Sequence, residues 1–243
     1  MAEQNLMWIG HGSWKTVTNN GTVIYLDPWI QGNPSAAISM EDTMDAQIVC
    51  VTHGHSDHFG DAMEIAHECN APIICIHEIG LFLSKQGIDN ITMNIGGSVV
   101  VRGIKFTMLD ATHSSALDVV EEPVAGGNPA SFLITFENGE KLFHAGDTGL
   151  YSDMKEVIGQ IYKPDIAILP IGDRFTMGPF EAALAAMWIN PKYVLPMHYN
   201  TFPAIEQDPT VFSNFVTQLN PKIETVIINP LETYVPNLDS KIE

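Results

Sequence analysis

The chain has 243 residues, 45% of them hydrophobic, which is enough for a sizeable core. Its formal charge of −18 comes from 29 Asp and Glu against only 11 Lys and Arg, while charged residues make up just 16% of the total. Binding polyanions by counterion release needs clustered Lys and Arg, and none occurs; a general nucleic-acid binder and attachment to anionic membranes are both disfavoured, and a small-molecule partner is expected.

No apolar run reaches the roughly 18 residues that span a bilayer. The opening MAEQNLMWIGHG has neither a basic region nor an apolar signal core, so a chain that stays in the cytoplasm is expected. Cys50, Cys69 and Cys75 form an odd set without C-x-x-C spacing, which fits reduced thiols better than a disulfide framework or a thiolate zinc site. Cys50 lies inside an apolar run and reads as a core thiol.

In chain order, the strand-like runs are NLMWIG, TVIYLD, AQIVCVT, APIICI, IKFTML, ASFLITF, KLFHA, DIAILPI, KYVLPM and TVIINP, most of them bounded by Gly, Pro, Asn or Asp. Helical spacing appears over Phe59–Cys69, Ile79–Lys85, Tyr151–Ile158, Pro179–Ile189 and Pro209–Leu219. The last helix opens with Asp208 and Pro209, an N-cap followed by a first-turn proline. Early strands come as hairpins and later ones alternate with helices, a mixture that predicts two sheets face to face with helices outside. No repeat, linker or low-complexity tract interrupts this, so residues 1–243 are read as one domain.

The densest chemistry is VTHGHSDHFGD, where His53, His55, Asp57 and His58 crowd into six positions between a strand and a helix. If the backbone stays extended there, His53, His55 and Asp57 project to one side and His58 elsewhere, so one segment can serve two metals. Further groups occur where later strands give out: His113, His144 with Asp147, and His198. Strand ends can converge on one rim although distant in sequence. Imidazoles and carboxylates without thiolates favour zinc and also suit manganese, iron or nickel. Ser114 and Ser115 follow His113, but no G-x-S-x-G elbow supports a serine nucleophile. The glycines of GHG, IGG and AGG lack phosphate-loop spacing and read as turns. His67 and His77 have no partners in the pattern and read as structural or solvated.

THGHSDHFGD, ATHSS, HAGDTG and PMHYNTFP together resemble, in order, the motifs of the metallo-β-lactamase superfamily. The resemblance extends from WIGHGSW and IYLDPWIQGNP to HYNTFP, and is nearest to a branch of uncharacterised metal-dependent hydrolases similar to ascorbate-6-phosphate lactonases and N-acyl-phosphatidylethanolamine phospholipase D. It implies an α+β, four-layer αββα sandwich and two divalent ions. By this likeness His53, His55 and His113 would hold one ion, Asp57, His58 and His198 the other, and Asp147 would bridge them. Asp27 is implied as a brace for the histidine loop. One difference stands out: INPLET occupies the place where relatives often carry a Pro-Gly-Glu turn.

The reaction so implied is hydrolysis of a small ester-like, lactone, amide or phosphodiester bond by a metal-bridging hydroxide, with Asp57 and Asp147 as catalytic carboxylates. Two ions, two carboxylates and a hydroxide leave a local charge of about +1, which would draw an anionic head group. His144 is either a brace or an ordinary strand-end polar residue, and His11 either lines the site or caps a turn. Asp173, Arg174 and Asn200 fall on loops that could wall the pocket, and a partner subunit could complete it as a homo-oligomer. Two rival readings are iron-dependent redox or thioester chemistry on the same fold, and a metal-stabilised binding module without turnover.

Overall fold

The structure, a computed structural model, describes residues 4–238, so residues 1–3 of the opening segment and residues 239–243 of the proposed domain lie outside the described residues. The first sheet is built from β1 (Asn5–Gly10), β2 (Ser13–Val17), β3 (Val23–Leu26), β4 (Ile48–Cys50), β5 (Ile73–Ile76) and β6 (Asn90–Met93). β1, β2 and β3 form antiparallel hairpins, whereas β3 through β6 run parallel. The parallel strands IVC and IICI are buried at every position, as a sheet covered on both faces requires.

The second sheet begins with β7 (Ser98–Val101) and β8 (Ile104–Asp110); a small β9 (Ala116–Leu117) and β10 (Val124–Ala125) hairpin follows as a separate ribbon. The sheet then adds β11 (Ala130–Thr135), β12 (Lys141–His144), β13 (Ile166–Pro170), β14 (Tyr193–Met197) and β15 (Glu224–Thr225) in the order β15-β14-β13-β12-β11-β8-β7. Pairing is antiparallel from β7 to β12 and parallel from β12 to β15. The chain finally returns to the first sheet, where β16 (Thr233–Tyr234) pairs with β1.

Helices cover the outer faces. α1 (Ser56–Phe59) leads into α2 (Ala62–Cys69), which packs with α3 (His77–Lys85) over β4, β5 and β6. α4 (Pro179–Ile189) lies on β13 between α5 (Pro209–Leu219) and a π-type helix at Met154–Tyr162. Four buried alanines, Ala182, Ala183, Ala185 and Ala186, let α4 sit that close to its neighbours. Trp14, Tyr25, Phe106, Phe132 and Phe143 are fully buried members of one continuous core. The αββα architecture expected from the strand and helix runs is what the chain adopts.

Local differences have identifiable causes. The helix expected over Phe59–Cys69 is broken, because Gly60 (φ 39°) packs against Pro28 and the Asp61 carboxylate turns back to accept the N–H groups of Ile30 and Gln31 at 2.6 and 2.9 Å. The Tyr151–Ile158 helix begins instead at Met154 and runs to Tyr162. TVIINP contributes to the ladder only through Thr225, and β2, β6 and β7 are additional short strands in SWKTV, NITM and SVVV. Pro209–Leu219 and Pro179–Ile189 match their expected bounds, with Asp208 accepting the Thr210 N–H at 2.9 Å as the cap.

INPLET gains a physical meaning here. Leu231 is 42% exposed and sits at φ 72°, a conformation that glycine adopts without cost, while its N–H donates to the Trp8 carbonyl at 2.8 Å. Relieving that strain outweighs the small apolar burial lost, so Leu231→Gly is expected to raise stability by about 1 kcal/mol, read as a thermal midpoint about 2–4 °C higher.

Candidate metal centre

The polar residues singled out in the sequence gather at one rim, where strands of both sheets end. Asp27 follows β3, Thr52 to His55 follow β4, His113 follows β8, Asp147 follows β12 and His198 follows β14; His11 lies in the β1–β2 turn. The backbone does not stay extended through the cluster: His55 caps α1, and Asp57 and His58 lie within that helical turn. This corrects the one-sided projection of His53, His55 and Asp57 expected of an extended strand. His53 and His55 face His113, whereas Asp57 falls with His11, His58 and His198, and a third group joins His53, His58 and Asp147. Helical geometry swings Asp57 away from the alternation that an extended strand would have given it.

Behind the cluster lies Asp27, fully buried at φ 47°. Its Oδ1 accepts the Thr52 N–H at 2.8 Å, and its Oδ2 accepts the Thr52 hydroxyl at 2.7 Å. His58 Nδ1 and His144 Nε2 lie 2.8 and 3.1 Å from that same Oδ2. A carboxylate only accepts, so both rings donate to it and His58 Nε2 is the nitrogen left facing inward. The same reasoning fixes His53. Thr52 spends its proton on Asp27, so its oxygen accepts from His53 Nδ1 at 3.0 Å, and His53 Nε2 carries the free lone pair. That nitrogen lies 3.0 Å from His55 Nδ1, while His55 Nε2 is 3.3 Å from the Ser114 hydroxyl.

On the other side, Asp147 Oδ1 is 3.2 Å from His58 Nε2, and its Oδ2 is 3.0 Å from His198 Nε2 and 3.6 Å from His113 Nε2. Despite the proximity, His58 Nε2, His198 Nε2 and Asp147 Oδ1 are buried without an aligned hydrogen bond. Converging nitrogen and oxygen atoms, buried and without an aligned hydrogen bond, are what a cation satisfies, so the residues present fit a metal. Close packing fixes the rings: a Cβ added at Gly12 would meet His58 Cε1 at 2.5 Å, and one at Gly172 would collide with the His198 carbonyl. Asp57 and His113, with 29% and 13% of their side chains exposed, form the side open to solvent.

Burial, and then the neighbouring His58, hold His53 well below the usual histidine range. Burial opposes charge on His58 and His198 too, but Asp147 and its companion carboxylates outweigh it: His58 is held well above the usual range, and His198 is pushed up to about 9. Burial works against ionised Asp147 as well, yet His198 and His58 hold its carboxyl well below the ordinary range. For Asp27 burial is likewise overcome, by His58 and His144. His11 goes the other way; burial and then the adjacent His198 pull it down to about 4, so it is neutral at pH 7.

Residues left open by the sequence divide. His144 is a brace on Asp27, and His11 Nε2 lies 3.0 Å from Asp57 Oδ2. Asn200 accepts the Gln207 N–H at 2.8 Å and lines a cavity of about 1010 Å³ together with Thr201, Phe202, Glu206 and Asp208. Asp173 and Arg174 are exposed after β13; among the described residues Arg174 has no carboxylate partner and rests beside the Phe175 ring, 5.5 Å from its centroid. Thr52 was not singled out as a site residue, because a hydroxyl carries no positional signature in sequence and becomes informative only when its partner is in place; Thr201 was read only as near the site through its neighbour His198.

A family profile described as a beta-lactamase superfamily domain matches residues 5–198. The chain belongs to that superfamily. It is 62% identical over 232 residues, 96% of this chain and 97% of the relative, to a "UPF0173 metal-dependent hydrolase" of Methanobrevibacter smithii. Its fold matches Igni18, described as a novel metallo hydrolase from the hyperthermophilic archaeon Ignicoccus hospitalis, with TM-score 0.88 and 35% identity over 98% of this chain and 100% of that one. CmlA, a diiron β-hydroxylase from Streptomyces venezuelae, shares the fold at TM-score 0.74 and 15% identity, covering 97% of this chain and 55% of its own. Among the described residues of this superfamily member no helix is long and apolar enough to cross a membrane.

Two outcomes follow from the geometry. Asp27→Asn puts an amide where four donor contacts converge, and is expected to cost about 3 kcal/mol or more in chemical denaturation of chelator-treated protein. His198 has a folded pKa above its unfolded value of 6.5, so its stabilisation is complete below pH 6.5 and is lost as pH rises through about 9. Thermal midpoints of chelator-treated protein are therefore expected to fall between pH 7 and 10, with a flatter profile in His198→Gln.

Proposed function

We propose that this chain is a two-metal hydrolase, acting as one catalytic domain in the cytoplasm on a small substrate. The observation that carries the reading is the convergence of His58 Nε2, His198 Nε2 and Asp147 Oδ1, buried without an aligned hydrogen bond, beside His53 Nε2, whose ring is fixed from behind by Thr52. His53, His55 and His113 would hold one ion, Asp57, His58 and His198 the other, with Asp147 shared. The nitrogen and oxygen donor set favours zinc and accommodates manganese, iron or nickel. When bound, the ions supply an ionised bridging water near neutral pH and polarise the bond to be cleaved.

The chain's own groups account for the rest. Asp57, the most exposed carboxylate of the cluster, is placed to orient an attacking water. Asp147, held between His58 and His198, keeps the two donor sets in register. Asp27 and Thr52 anchor both His58 and His53, so a single buried carboxylate braces each half.

Asp27 also bears on substrate charge. As a third carboxylate within hydrogen-bond distance of His58, it offsets the surplus of about +1 that two carboxylates alone would leave. The cavity lined by Asn200 and Thr201, which follow His198 in the chain, also presents Glu206 and Asp208 and no lysine or arginine. The outer part of the substrate is therefore uncharged or cationic, and the bond cleaved is an ester-like, lactone, amide or phosphodiester linkage.

Metal analysis of protein purified without added metal is expected to give close to two ions per chain. Asp57→Asn and His113→Ala should each lower kcat at least 100-fold on whichever ester, lactone or phosphodiester of a panel is turned over, with the far-ultraviolet spectrum kept. Neutral-tailed substrates should be cleaved faster than matched anionic ones. One iron per chain with oxygen consumption would instead favour redox chemistry, and metal without turnover of any substrate would favour a binding module.

A further inference from the structure

Asp57 differs from the other carboxylates in what stands behind it. Asp27 and Asp147 are buried and fixed from several sides, but Asp57 sits on a four-residue helical turn with 29% of its side chain exposed. Its nearest ring contact is His11 Nε2, 3.0 Å from Oδ2, with His198 Nε2 farther away at 3.8 Å. The other nitrogen of the His11 ring, Nδ1, lies 2.8 Å from the Thr201 hydroxyl. His11 is fully buried, Thr201 nearly so, and 190 positions separate them.

The His11 backbone is fixed as firmly as its ring. Its carbonyl accepts the Trp8 indole N–H at 2.9 Å and the His198 N–H at 3.0 Å, and its φ of 55° turns the ring out of the strand line. The ring then stacks obliquely on His198, centroids 3.9 Å apart. Protons follow from partner chemistry. A carboxylate cannot donate, so His11 Nε2 carries the hydrogen toward Asp57, and Nδ1 on the far side of the ring is held by the Thr201 hydroxyl. The contacts run from Thr201 through His11 to Asp57.

We propose that Thr201 and His11 are positioning residues that form a relay holding Asp57 Oδ2, and so preset the carboxylate of the second metal position. The proposal rests on the two-metal reading above. In it His11 is not itself a ligand, although its Nε2 lies among the donor atoms of Asp57, His58 and His198. A hydroxyl behind a histidine behind a carboxylate is the kind of outer contact whose loss weakens metal affinity about 10–100-fold without removing a ligand.

The test is calorimetric titration of chelator-treated full-length protein with zinc, with cobalt(II) visible absorption as a second readout. Thr201→Val removes the hydroxyl at nearly constant shape and is expected to keep two ions per chain while weakening one of them about 10–100-fold and shifting the cobalt bands; Thr201→Ser should restore both. His11→Gln, which keeps an N–H toward Asp57 and an acceptor toward Thr201, should also retain two ions and come closer to wild type than His11→Ala. Circular dichroism and thermal midpoints establish that each variant folds.

Wild-type affinity and cobalt spectrum in Thr201→Val would overturn the relay, leaving Thr201 as loop packing. One ion lost in His11→Gln with Thr201→Val unchanged would overturn it differently, making His11 a ligand. A wild-type chain that takes up no ion overturns the two-metal reading itself, a result distinguishable from both because it appears before any substitution is made.

Discussion

Asp27 is the constraint around which the rim is organised. Its buried carboxylate takes three contacts at one oxygen and one at the other, drawn from Thr52 and His58 beyond β4 and from His144 on β12. Two of those elements belong to different sheets, so the charge that orients the histidine loop also ties the sandwich together at the point where chemistry is proposed. Such a group is tolerated in a dry interior only when fully satisfied, which makes its partners interdependent: removing any one leaves charge unbalanced. The left-handed backbone at Asp27 is part of the same arrangement, since it turns the carboxylate inward at the end of β3.

From this anchor the donor atoms acquire definite protonation. A hydroxyl has one hydrogen, and Thr52 directs it to Asp27; His53 is thereby left with its free lone pair on the inward nitrogen, while the same carboxylate holds His58 Nδ1 as a donor and turns its Nε2 inward. Backbone packing supplies the remaining precision. Gly12 and Gly172 allow His58 and His198 to lie against neighbouring backbone where any side chain would push them aside. The histidine-rich rim thus combines a rigid, buried side around Asp27 and Asp147 with a more open side around Asp57 and His113. Rigidity where ions would sit and access where solvent and substrate would enter are the two properties hydrolysis needs from one site.

Much of this was legible in the residues. The spacing of His53, His55, Asp57 and His58, and the later His113, Asp147 and His198 at strand ends, marked the cluster because a high density of metal-type donors at strand termini is hard to explain otherwise. The strands of the two sheet centres were visible as apolar, β-branched runs, and α4 and α5 matched their periodicity and caps. The short strands β2, β6 and β7 were not visible, because polar or very short segments owe their pairing to a neighbour rather than to their own pattern. The π-type helix was displaced for a similar reason: apolar spacing marks a face, whereas the position of a helix end depends on what packs against it.

The sequence by itself determined which chemistry is available: the supply of imidazoles and carboxylates, the absence of a thiolate set or basic patch, and the alternation that builds a sandwich. These are properties of residue type and local spacing, which survive without coordinates. The tertiary structure decided how the donors divide. It placed Asp57 with His11 and His58 instead of on one side with His53 and His55, because a helical turn begins at His55 where extended chain was expected. It also joined Thr201 to His11 across 190 positions and His144 to Asp27 across 117. A hydrogen bond depends on tenths of an ångström and on the direction of one proton, and neither is encoded in the order of residues until both sheets have closed around the same rim.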